Sequence, residues 1–288
     1  ELVHTAMRLA RDNDERAEIV LMRVVRMPGS AYRAGPRTQE QLMRRASEML
    51  RPLAQLVEGA GYDVVPVVVP GQNVADAILT EAKARRPDLV LLARHRTLWG
   101  NQLLGGAVGE VLRKATCDVA VVIDPNGQGL ALGRNANILV PYGGGFHEDI
   151  GVDLALRLAQ ASGATITLIG PAAGAEEAHS LAARAAQAYG DTGVWTIPAP
   201  VPADDPGGAL LERAQDADLV VLGVGDEWVH NKDSLGGLRE AVAARTSAPL
   251  LVVRRHGQRG RLRKQREWIV DTGELDLTSG DPVAERMT

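Results

Sequence analysis

The chain has 288 residues, 45% of them hydrophobic but only 3% aromatic, and a formal net charge of −4. This length allows about two domains, and an apolar fraction rich in Ala, Val and Leu suits parallel sheets covered by helices. The acidic balance excludes a global attraction to nucleic acid or anionic membrane, the single cysteine, Cys117, excludes an internal disulfide, and no apolar run approaches the roughly 20 residues that span a bilayer.

In chain order, Ala6-Met7-Arg8-Leu9-Ala10 belongs to a helix that has already begun at Glu1. A strand is predicted near 18–25, a long helix over 38–57, a strand near 64–69 and a helix over 74–84. Asp88-Leu89-Val90-Leu91-Leu92-Ala93 is a continuous apolar run opened by Asp, the pattern of a buried parallel strand. Gly105 and Gly106 precede a helix, and a strand closes the unit over 115–122. Residues 125–134, with Gly127, Gly129 and Gly133, read as a linker. Asn137-Ile138-Leu139-Val140-Pro141 opens a second series: a helix around 155–159, strands near 165–169 and 194–197, helices near 175–189 and 208–215, and a strand over Asp218-Leu219-Val220-Val221-Leu222. Gly236 and Gly237 then precede a last helix and a strand ending at Val252.

The two series repeat each other. Residues 87–93 align with 217–223, and 115–122 with 245–252, at one shared offset. Ala6-Met7-Arg8-Leu9-Ala10 aligns with Ala155-Leu156-Arg157-Leu158-Ala159. Alternating strands and helices imply right-handed crossovers. The predicted fold is therefore α/β: two tandem Rossmann-like parallel sheets with helices on both faces. Repeat 1 covers residues 1–124, the linker 125–134, repeat 2 residues 135–254, and a charged tail 255–288. Repeat 1 has no counterpart of the strand at 137–141. A central strand cannot be missing without leaving buried backbone groups unpaired, so the natural polypeptide is expected to continue upstream of Glu1.

On these residues the chain resembles the tandem form of the universal stress protein family, over about 1–254. The carriers are Ile138-Leu139-Val140-Pro141, the strands at 88–91 and 218–221, the Gly-rich segments before each last helix, and the stretch 104–122. Val140-Pro141-Tyr142-Gly143-Gly144-Gly145-Phe146-His147-Glu148 also looks like tandem modules that form the cytoplasmic tail of bacterial amino-acid permeases and cation/proton antiporters. The resemblance implies a regulatory role, a nucleotide site at the strand carboxyl ends, and a place in the cytoplasm or at the cytoplasmic face of the inner membrane.

That family's nucleotide loop has the form Gly-x2-Gly-x9-Gly-Ser/Thr, and this chain departs from it. Repeat 1 reads Ala93, Arg94, His95, Arg96, then Gly105 and Gly106. Repeat 2 reads Gly223-Val224-Gly225-Asp226-Glu227, then Gly236 and Gly237, where the two acids would repel a triphosphate. Gly143, Gly144 and Gly145 offer either an anion nest or a strand-to-helix turn that needs positive φ. Arg94, His95 and Arg96 form either a phosphate-binding loop or a solvated one. The candidate ligand contacts are thus Pro141, Tyr142, Gly143–Gly145, Gly223, Gly225, Gly236 and Gly237 in repeat 2, and Arg94, His95, Gly105 and Gly106 in repeat 1.

No catalytic motif is present. The six histidines lack metal-ligand spacing, and Asp204, Asp205, Asp216 and Asp218 lack a partner base, reading instead as solvated turn residues. The tail carries seven basic residues between Arg254 and Arg266, then Trp268 and several acids. It reads as a lipid-surface segment or, preferably, as a disordered one. The expected function is a non-enzymatic, ligand-sensing module of a secondary transporter, with ATP, AMP or cyclic di-AMP as ligand. The alternative is a soluble stress-response scaffold that has lost nucleotide binding and acts through pseudo-symmetric pairing of its last strands; a homodimer through those strands is a further expected partner. Nucleic acid is not an expected partner.

Overall fold

The computed structural model describes residues 1–10, 17–27, 36–95, 104–124, 129–142, 146–171, 193–201, 206–225, 241–243, 245–256 and 267–271. In chain order the elements are α1 (Leu2–Ala10), β1 (Glu18–Arg26), α2 (Pro36–Gly59), β2 (Asp63–Gly71), α3 (Val74–Arg85), β3 (Leu89–His95), α4 (Gly106–Lys114) and β4 (Asp118–Asp124). Then follow β5 (Asn137–Pro141), α5 (Phe146–Ser162), β6 (Thr165–Pro171), β7 (Thr196–Val201), α6 (Pro206–Gln215), β8 (Leu219–Gly223), β9 (Leu250–Arg254) and β10 (Glu267–Asp271). The helix expected over 175–189 lies outside the described residues.

All ten strands form one sheet in the order β2-β1-β10-β3-β4-β9-β8-β5-β6-β7. This corrects the expectation of two separate sheets. Strands are parallel within each half, and the halves join where β4 meets β9 antiparallel, Val119 opposite Arg254 and Ile123 opposite Leu250. Both strands are buried almost throughout, so neither last-strand edge could be left to water. The antiparallel seam satisfies both edges at once. The two last strands thus pair pseudo-symmetrically with each other within the chain, on the edges that a homodimer through them would use.

The two halves share one strand order. Reading outward to seam, one half runs β2, β1, β10, β3, β4 and the other β7, β6, β5, β8, β9. The position expected to be vacant in the first half is filled by β10, which the sequence places in a disordered tail. The correction has a physical reason: β1 and β3 are apolar on both faces, and a strand between them is what pairs their backbone. The charged tail also begins later than expected, since Arg255 is buried and forms part of the folded body. The segment read as a linker is partly packed: Leu130 and Leu132 are buried in the core, and Arg8 Nη1 donates to the Leu130 carbonyl at 2.9 Å.

Side chains alternate between the faces of the sheet, as strand geometry requires. Ile19 and Leu21 of β1 join a core beneath α1, α2 and α5, whereas Val20, Met22 and Val24 join a core beneath α3, α4 and α6. Both cores run through both halves. On the first face α1 packs against α5, and Arg157 of α5 donates to the Leu9 carbonyl at 3.2 Å while Tyr62 Oη donates to that of Met7 at 2.8 Å. These bonds satisfy carbonyls left over at a helix end. The outer strands carry prolines, Pro66 and Pro70 on β2 and Pro198 and Pro200 on β7, which cannot extend a ladder and so blunt the edges. Among the described residues no helix is long and apolar enough to cross a membrane.

α3 shows how locally the termini are specified. Asn73 Oδ1 accepts from the backbone N–H of Ala75 at 2.9 Å and of Asp76 at 3.4 Å, and the helix ends where Arg86 turns left-handed at φ 54° and its N–H bonds the Ala82 carbonyl. Replacing Asn73 by Ala should cost about 1 kcal/mol, measured by urea denaturation, with the sheet's circular dichroism unchanged.

Candidate functional site at the strand carboxyl ends

Because the seam is antiparallel, the carboxyl ends of the two sets of strands lie at opposite ends of the sheet. The candidate residues therefore fall into two separate places, and one small ligand cannot touch both. Open α/β sheets bind ligands at such ends, where neighbouring connections leave in opposite directions. In the second half that point lies between β5 and β8.

There the structure brings Pro141, Tyr142, Gly223 and Gly225 together against the first turn of α5. Tyr142 N–H donates to the Ile169 carbonyl at 2.7 Å, and its hydroxyl donates to Asp149 Oδ1 at 3.1 Å. At Gly223, a Cβ would stand 2.6 Å from the His147 carbonyl oxygen, so glycine there allows α5 to seat directly on the end of β8. A Cβ on Gly225 would stand 3.6 Å from the imidazole of His147. Glu148 and Asp149 occupy the first turn of α5 and already complement the positive end of its dipole. Gly143, Gly144, Gly145, Gly236 and Gly237 lie outside the described residues.

In the first half, Arg94 Nη1 donates to the Gly105 carbonyl at 2.7 Å, tying the end of β3 to the start of α4. Burial pushes the Arg94 guanidinium below its ordinary value. Gly106 has φ +67°, a conformation that favours glycine, so Gly106 has a conformational use. His95 ends β3 opposite Asp124, and Arg96 lies outside the described residues. Among the described residues no three His, Cys, Asp or Glu side chains converge as a metal site.

The sequence reading passes over a cluster at the seam beside the second-half cleft. Arg255 is 4% exposed. Its Nη2 donates to Asp153 Oδ2 at 3.0 Å, its Nε lies 3.9 Å from Asp118 Oδ2, and its guanidinium sits 5.5 Å from the centre of the Phe146 ring. The Arg255 N–H donates to His147 Nδ1 at 3.2 Å, and the His256 N–H to Asp118 Oδ1 at 2.7 Å. One side chain thus ties α5, β4 and the end of β9 together. The available signal was position: Arg255 directly follows a buried strand, while Asp118 opens one. Asp218, read as a solvated turn residue, is also structural, since its Oδ2 accepts from the Asn137 N–H at 2.8 Å.

Burial pushes the Asp118 carboxyl up to about 6, with Asp88 and Asp153 adding to the rise and the His256 N–H and Arg255 opposing it. A carboxyl raised in the folded state binds protons more tightly there than in the unfolded chain. Its contribution to stability is complete below the ordinary value of 3.8 and is lost as pH rises through about 6. Asp118→Asn should therefore remove this component of the pH dependence between about 4 and 6 and gain about 3 kcal/mol over the parent at pH 7.5. Urea midpoints of the two proteins across that range test it; parallel profiles would count against the assignment.

Comparison with known proteins agrees with this geometry. Residues 1–122 match the model of the universal stress protein family. No curated protein matches the chain. Among solved structures, a universal stress protein from Archaeoglobus fulgidus DSM 4304 is 18% identical, with a TM-score of 0.57 over 83% of this chain and 86% of that one. A universal stress protein from Pseudomonas aeruginosa UCBPP-PA14 is also 18% identical, with a TM-score of 0.52 over 87% and 95%. The cytoplasmic domain of a prokaryotic cation chloride cotransporter is 13% identical, with a TM-score of 0.57 over 86% and 99%. The match over residues 1–122 and the likeness to these solved structures agree on a Rossmann-like α/β fold.

Proposed function

We propose that the chain is a tandem universal stress protein-like module without catalytic activity, which senses a small ligand and relays its state to a secondary transporter at the cytoplasmic face of the inner membrane. The observation that carries the tandem reading is strand order: the half formed by β5 to β9 repeats the order of the half that contains the family match. Arg157 and the continuous cores bind the halves into one body, so a change at one end of the sheet has a rigid route to the other.

The ligand of this reading is an adenine nucleotide or cyclic dinucleotide at the β5/β8 ends. Its support is the convergence of Tyr142, Gly223 and Gly225 at a topological switch point. The transporter link draws on the Tyr142–His147 stretch and on the cotransporter cytoplasmic domain among the fold neighbours.

One observation favours a second reading, a scaffold that binds no nucleotide. The His147 carbonyl and ring stand over Gly223 and Gly225, and Glu148 and Asp149 hold the helix terminus. Isothermal titration with ATP, AMP and cyclic di-AMP separates the two. The sensing reading expects heat with at least one of them and a matching rise in melting temperature. No heat with any of the three removes it and leaves the scaffold.

A further inference from the structure

The strand between β1 and β3 comes from far along the chain. β10 is parallel to both neighbours, with Glu18–Met22 opposite Glu267–Asp271 and Leu89–Leu91 opposite Trp268–Val270. β5 occupies the equivalent position of the other half, pairing with β6 over Asn137–Pro141 and with β8 at Ile138 and Leu139. The two strands share a pattern: a polar residue, three apolar ones, then a residue that ends the apolar run, Glu-Trp-Ile-Val-Asp against Asn-Ile-Leu-Val-Pro. Asp218 clamps the start of β5 through the Asn137 N–H, and Asp88 stands at the corresponding place beside the start of β10.

The flanking strands make this position demanding. Val20, Leu21, Leu89, Val90 and Leu91 are each at most 1% exposed, so their backbone groups facing the groove have no access to water and need a strand. The geometry lets the chain's own C-terminal segment supply it. β9 ends beside the start of β4, Arg254 opposite Val119, and β10 begins at that same end of the sheet. The gap from β9 to β10 is three strand spacings, about 14 Å, whereas residues 255–266 extended reach about 40 Å. Arg255 and His256, held on Asp118, set where that span starts. β5 is followed directly by α5, which packs on its own half. β10 is separated from β9 by residues 255–266 and is the last described element.

We propose that the groove between β1 and β3 is a strand-acceptor site, and that residues 267–271 are its detachable occupant, docked in parallel and exchangeable for the same segment supplied in trans. Amide hydrogen exchange on the full chain tests it. Ile269→Pro, which removes an N–H from the middle of β10, should speed exchange at residues 18–22 and 89–91 by about tenfold or more while 138–140 and 219–222 stay protected. Excess synthetic peptide of residues 264–274 should restore that protection. Unchanged exchange at 18–22 and 89–91 in the variant overturns the proposal, because the groove then does not depend on this segment. Loss of protection throughout both halves with no restoration by peptide overturns it as well, because the occupant is then not separable from the fold.

Discussion

A buried parallel strand needs a partner on each edge, and the architecture follows from meeting that need for eight of the ten described strands. Residues such as Leu89, Leu91 and Val220 are fully buried, so the backbone between them must be paired within the protein. The antiparallel β4–β9 seam closes two edges together. β10 closes two more in the middle of the first half. Among the described strands β2 and β7 are the outer ones, and both carry prolines. One rule thus accounts for the single sheet, for the recruitment of a distant segment, and for where the sheet stops.

The seam has a functional consequence. Reversing strand direction places the two sets of carboxyl ends at opposite ends of the sheet, so the candidate residues of the halves lie at two separate places. They differ in chemistry: Arg94 is spent on the Gly105 carbonyl in one, whereas His147, Tyr142 and Asp149 crowd the glycines in the other. Arg255 is bonded to elements from both sides of the seam. A buried guanidinium between two carboxylates fixes register more than it adds net stability, which suits a residue at the joint of two similar units.

Much of the fold was legible in local pattern. Leu89–Leu92 and Leu219–Leu222 are uninterrupted apolar runs opened by Asp, and both are strands. The vacancy in the first half was legible as well, because Ile138–Val140 has no counterpart before α1. Its occupant was not. Trp268-Ile269-Val270 is three residues long and flanked by charge, so composition assigned it to a tail, and only the groove reveals it as a strand. The site was half legible in the same way. Gly223 and Gly225 stood out as loop glycines, but the residue they make room for, His147, is distant in sequence.

The sequence by itself determined the alternation of strand and helix, the near-repetition of two units and the need for a strand between β1 and β3, because these follow from periodicity and from the cost of unpaired backbone. Tertiary structure decided which segment fills that position, that the two sheets are one, and that Asp118, Asp153 and Arg255 meet at the joint. Each of those depends on residues brought together from more than a hundred positions apart in the chain, as Arg255 is from Asp153. Local pattern carries no information about such pairings; the packing of the halves does.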